Sequence, residues 1–125
     1  MSRIYSRENA FRTIYSKLFN VEFDGIEASN DLDGKYNEEF YSLLVDNFNN
    51  HYEEIKNIVS SNLKGITIER VYKIDLALIY LAITELNYTD SPKKVVINEV
   101  IELAKKYSTE KSSKFINGFL ANLVK

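Results

Sequence analysis

The chain contains no cysteine and no tryptophan, and only one histidine, one proline and four glycines among 125 residues. Without cysteine there is no disulfide framework, no thiolate metal site and no thiol nucleophile, and a reducing compartment suits the chain. With His51 alone, a zinc site would need carboxylates for its other ligands, which is unusual chemistry for that ion. His51 sits beside Asn49, Asn50 and Tyr52 and reads as a surface side chain. Four isolated glycines make neither a P-loop nor a dinucleotide-binding turn. No G-x-S-x-G string occurs. Long apolar runs are missing too. The longest, Leu76 to Ile83, falls far short of the ~20 residues that cross a bilayer. The first dozen residues, MSRIYSRENAFR, lack the apolar core of a signal peptide. The expectation is a single cytoplasmic domain over residues 1–125, with no membrane segment, metal or cofactor, and not an enzyme.

What is present is apolar and helical in period. Hydrophobic residues make up 45% of the chain, enough for a core without staples. Ser6 is expected to cap a helix running to about Asn20, with Ala10, Phe11, Ile14, Tyr15, Leu18 and Phe19 as its apolar stripe. Arg7 and Arg12 fall off that stripe, and Arg3 precedes it. Residues 22–34 read as a connecting loop. The Asp31-Leu32-Asp33-Gly34 string suggests a calcium loop, but that register puts Ser29 and Phe40 where acids are required.

Helices are expected from about Tyr36 to Asn49 and from Asn50 to Leu63, with Gly65 as a left-handed stop. Residues 66–72 suit a short strand or a turn. From 73 to 87 the chain is apolar nearly all round, the mark of a buried central helix. Ser91 and Pro92 suit the cap and first position of a helix through Tyr107, and a last helix covers about 110–124. Gly118, inside that last helix, suggests the close approach of another helix or a ligand. These elements make an all-α, compact orthogonal bundle of about six to seven helices.

Charge is unevenly spread. Net charge is −2, but residues 1–17 carry +3 and residues 92–125 carry +4, leaving −9 between them. If the ends meet, they form a basic patch on an acidic protein. Arg3 and Arg7 are suited to phosphate, and Lys111 and Lys114 open the last helix, where free amides also favour anions. Tyr5 and Phe115 could stack on unpaired bases; Phe115, with Phe119 four residues on, suits the core equally well. Glu99 and Glu102, among lysines, read as ion pairs on a wet face rather than as catalytic carboxylates.

Two linked motifs carry a resemblance. KVVINEVIELAKKYS at 94–108 and SSKFINGFL at 112–120 resemble the NusB family pattern V-x-I-N-E-A-x-E-L-A-K followed, after a short turn, by S-x-K-F-V-N-G-x-L. SRENAFRTIYSKLF, FYSLLVDNF and IDLALIYLAITEL resemble the family's first, second and central helices, so the likeness spans essentially the whole chain. It implies an all-α bacterial transcription antitermination factor. Such proteins bind boxA-type single-stranded RNA, notably in ribosomal RNA leaders, together with the ribosomal protein NusE. They then join other Nus factors on RNA polymerase. Carried over by position, the resemblance implies Arg3, Arg7, Lys111, Ser112, Lys114, Phe115 and Asn117 near RNA, and Tyr15 and Asp75 at the NusE face. The chain departs from the family where arginines of the central helix are replaced by Leu76 and Tyr80, where Asp46 replaces a glycine, and where fewer arginines precede the first helix. Two other readings compete. One is a pure protein-interaction module whose acidic middle docks a basic partner. The other is an enzyme such as the RNA methyltransferases with a NusB-like domain, which would need a cofactor-binding domain and a Gly-rich loop.

Overall fold

A computed structural model describes residues 3–20 and 37–124. These form six α-helices and one 3₁₀ turn, with no strand among the described residues. They are α1 (Arg3–Phe19), α2 (Glu38–Asn50), α3 (Tyr52–Asn62), the turn Ile68–Arg70, α4 (Lys73–Tyr88), α5 (Lys93–Tyr107) and α6 (Glu110–Leu123). The expected all-α bundle is therefore observed. The 22–34 loop, with its calcium-loop string, lies outside the described residues, as does Tyr36.

α4 is the axis of the bundle. Every residue from Asp75 to Glu85 is buried, and α1, α2, α3, α5 and α6 all pack on it. A helix apolar all round has no solvent face, so the other helices must surround it. Each outer helix contributes a stripe: Ala10, Phe11 and Ile14 from α1, Phe40, Leu44 and Phe48 from α2, Val96, Val100 and Ala104 from α5. Burying one such large side chain contributes about 1.5–3 kcal/mol.

The helix ends correct several expectations. Ser6 does not cap α1, which begins at Arg3. Its hydroxyl instead donates to the Asn37 carbonyl and accepts from the Asn37 amide, each at 2.8 Å. Asn37 in turn caps α2 through the Phe40 amide. A local cap in sequence is thus a tertiary clip between α1 and α2. Ser91 does not cap α5 either. The cap position is Pro92, without a side-chain bond, and the Ser91 hydroxyl is buried without a partner among the described residues. Of residues 66–72, read as a short strand or a turn, Ile68–Arg70 form a 3₁₀ turn. Gly65 has the left-handed backbone expected of a stop, with φ of +75°. A Cβ built at Gly118 has open space around it, so no other helix among the described residues approaches it closely.

Candidate nucleic-acid interface

α6 begins with a tight local ring of bonds. The Thr109 hydroxyl accepts the Ser112 amide at 3.0 Å and donates to the Ser112 hydroxyl at 3.1 Å. The Ser113 hydroxyl returns to the Thr109 carbonyl. This caps the helix and turns both serines inward, where they are buried. Ser112 is therefore a structural group here rather than a projecting one. Lys111, Lys114, Asn117 and Gly118 point outward and are exposed. Positions 111, 114 and 118 follow helical spacing and share a face. Phe115 packs on the edge of the core, as one of its readings had it, and also walls a cleft.

That cleft lies between the Ile68–Arg70 turn and the start of α6 and encloses about 420 Å³. Ile66, Val71 and Phe115 make it apolar, while Arg70 and Lys111 supply cations. Asp75 also lines it, only 3% exposed, with the Ser108 hydroxyl donating to Oδ1 at 2.8 Å. Tyr15 and Asp75, expected on one partner face, line neighbouring clefts, and Ser108, which donates to Asp75, lines the Tyr15 cleft. Tyr15 lines a second cleft, with Lys73, Ile74 and Tyr107. Arg70, Val71 and Tyr72 form the ridge common to both clefts. The Tyr15 ring packs against Phe11 and Phe19, at centroid distances of 6.2 and 5.4 Å.

The basic N-terminus behaves differently from its sequence reading. Arg7 is not a mobile cation. It is 3% exposed, and its Nε and Nη2 donate to the two Glu85 oxygens at 2.6 Å each. This is a bidentate pair, with Phe40 stacked 5.3 Å from the guanidinium. The helical wheel of α1 alone could not show it, because the partner carboxylate lies 78 positions away. Arg12 donates to the Tyr107 hydroxyl. Glu8 accepts from the Tyr107 hydroxyl and from Lys106 Nζ, tying α1 to α5. Burial and the Glu8 carboxylate together push the Tyr107 phenol up to about 12, with Arg12 opposing. Of the N-terminal cations named above, Arg3 reaches the surface, over the Phe40 ring and 3.6 Å from Asp90.

The two basic regions touch where Lys106 meets Glu8, but Arg7 and Lys111 do not share one patch. Arg7 sits on Glu85 near the C-terminal end of α4, and Arg3 reaches Asp90 beyond it. Lys111 shares its cleft with Asp75 at the opposite end. The ten residues between Asp75 and Glu85 span roughly 15 Å of helix. Lys111 is accompanied by Arg70 instead. Sequence reasoning missed Arg70 and Tyr72 because a −9 average over the middle of the chain concealed a local cation and an aromatic beside it. The signal was there in Arg70, Tyr72 and Lys73 in immediate succession.

The NusB family model matches residues 5–125. This chain belongs to the NusB family. The transcription antitermination protein NusB of Finegoldia magna is 38% identical over 130 residues, covering 100% of this chain and 95% of that protein. The crystallised NusB of T. maritima superposes with a TM-score of 0.80 at 27% identity, over 98% of this chain and 90% of that one. A structure of antitermination factors NusB and NusE in complex with dsRNA gives 0.77 at 26% identity, over 97% and 94% of the two chains. Against NusB proteins the departures at Leu76 and Tyr80 have a structural account: both side chains are buried in the core here. Burial raises the Tyr80 phenol above its ordinary range, and the neighbouring Tyr52 adds to the shift. Among the described residues no three histidine or acidic side chains cluster to hold a metal. No helix among them is long and apolar enough to cross a membrane.

Proposed function

We propose that this chain is a cytoplasmic, non-catalytic, single-domain antitermination factor that binds boxA-type RNA together with NusE. In this reading it joins the other Nus factors on RNA polymerase, notably during ribosomal RNA synthesis. One observation carries the RNA part. Arg70, Lys111 and Lys114 have no carboxylate partner among the described residues, and they surround Phe115 at the capped start of α6. Exposed cations left unpaired beside an aromatic wall suit phosphates flanking a stacked base. Asn117 extends the same face, and Arg3 serves phosphate farther along. Tyr15 and Asp75, in neighbouring clefts that share the ridge of Arg70, Val71 and Tyr72, serve the NusE side. The kinship with a NusB crystallised with NusE and RNA supports both partners.

Fluorescence anisotropy with labelled single-stranded and duplex boxA-type RNA, with and without NusE, tests this. Binding should weaken with salt, by about 0.7 in log–log slope for each phosphate neutralised on a single strand. Replacing Lys111 and Lys114 together with alanine should lower affinity at least tenfold and leave the circular dichroism spectrum intact. Unchanged RNA retention in that variant would place the interface elsewhere. Recovery of NusE with no RNA retained under any condition would favour a pure protein-interaction module.

A further inference from the structure

The outer face of α2 and α3 carries charge of one sign, and neither helix lines the clefts described above. Residues 38–62 hold five acids, Glu38, Glu39, Asp46, Glu53 and Glu54, against Lys56 alone. All five acids are exposed. Glu54 accepts from the Tyr88 hydroxyl at 2.9 Å and lies 3.7 Å from His51 Nδ1. The other four have no cation partner among the described residues. Lys56 does not neutralise them: it is half-buried, with its ammonium over the Tyr52 ring. Elsewhere Glu8, Glu85, Asp90 and Glu102 each meet a cation.

Leu43 stands within this face, 40% exposed. Glu39, Leu43, Asp46 and Asn50 recur at steps of four and three residues, so they form one stripe along α2, roughly 16 Å long. The buried side of the same helix is complete without Leu43, with Phe40, Leu44 and Phe48 turned to the core. Nothing in the bundle requires a leucine on the outer stripe. The acids are strung along two helices rather than gathered at a point, and among the described residues no three acidic or histidine side chains converge to hold a metal. Separated charges around an apolar side chain fit a partner whose cations are also spaced along a line.

We propose that the outer face of α2 and α3 docks a lysine- or arginine-rich helical segment of a protein in the transcription complex. An apolar side chain of that segment covers Leu43, and its cations meet Glu39, Asp46 and Glu53. The inference rests on the reading that this chain joins a protein assembly, and adds the surface that does so. Charge complementarity selects the occupant. Unpaired carboxylates repel phosphate, which keeps RNA on the α6 side. A second copy meeting this face symmetrically would set like charges against each other. An uncharged segment would cover Leu43 and leave the carboxylates unmatched. One helix laid along this stripe makes a contact at the small end of protein interfaces, of the transient kind.

The test uses the full chain in a complex reconstituted from NusE, boxA-type RNA, the other Nus factors and RNA polymerase. With the photocross-linker p-benzoylphenylalanine in place of Leu43, irradiation should label a lysine- or arginine-rich protein segment. The combined variant Glu39→Gln, Asp46→Asn and Glu53→Gln should weaken entry into the complex about tenfold at low salt, and the loss should shrink as salt rises. Leu43→Ala should weaken entry severalfold at every salt concentration. Both variants should keep the parental circular dichroism spectrum and bind boxA-type RNA and NusE no more weakly than the parent. A label on RNA, on a second copy of this chain, or on an acidic or uncharged segment would overturn the proposal. So would the absence of any label, or undiminished entry of the triple variant. Loss of RNA affinity in the triple variant would put RNA on this face and overturn it equally. If the parent chain shows no salt-sensitive RNA binding while the label falls on a basic protein segment, the RNA reading fails and the docking face stands.

Discussion

Replacing Arg7 with methionine separates the two roles open to this arginine. The structure places it in a buried bidentate pair, with both contacts to Glu85 at 2.6 Å and the side chains 4% and 0% exposed. Removing one partner leaves the other charge buried without compensation, at a cost of about 3–5 kcal/mol. Against a total of about 5–15 kcal/mol for a domain, that is a large share. At roughly 3–5 °C for each kcal/mol in a chain of this size, Tm should fall by about 10–25 °C. Removing both charges with Arg7→Met and Glu85→Leu leaves a packed apolar contact, which should be neutral or stabilising by about 1–4 kcal/mol relative to the parent. Urea titrations followed by far-UV circular dichroism give all four corners of the cycle, provided the slope m stays constant. Strong non-additivity, with the double variant more stable than either single one, is the expected signature. An Arg7→Met variant of parental stability that had lost RNA affinity would refute the reasoning. It would return Arg7 to the phosphate-binding role that its sequence position suggests.

Three further outcomes follow from the same contacts. Because folding raises the Tyr107 phenol from 10 to about 12, the unfolded chain loses that proton first as pH rises. Stability from the neutral phenol is complete below pH 10 and drains away between 10 and 12. Urea midpoints at pH 9, 10 and 11 should therefore fall more steeply in the parent than in Tyr107→Phe; equal slopes would contradict the assignment. Gly118→Ala should raise stability by about 0.5–1 kcal/mol, because the position is exposed and helical with open space for a Cβ. A lower Tm would show that the glycine is needed for the fold. Thr109→Ala should cost about 0.5–2 kcal/mol by removing the α6 cap, and thermal melts that do not move would dismiss the cap.

The positions of the helices were legible along the chain because a repeat near 3.6 residues is a local property. The central helix was the clearest case, since only a surrounded helix can be apolar on all sides. The family motifs at 94–108 and 112–120 are local strings too, and they sufficed to foresee the family and the class of fold. Hydrogen-bond partners were not legible in the same way. Ser6 and Ser91 both have the composition of helix caps, yet the first clips α1 to α2 and the second caps nothing. A side chain's partner depends on which elements cross nearby, which no window of residues contains.

The site shows the same division. Sequence alone determined that the start of α6 is basic and carries an aromatic, because Lys111, Lys114 and Phe115 belong to one helix. Only the tertiary structure decided which other charges stand beside them. It placed Arg7 inward on Glu85, paired Lys106 with Glu8, and set Arg70 and Tyr72 at the cleft that Lys111 and Phe115 share. Electrostatic and aromatic contacts depend on distance in space. Charges summed along the chain therefore marked two basic ends, but the fold set Arg7 and Lys111 at opposite ends of α4 and drew one cation, Arg70, from the acidic middle.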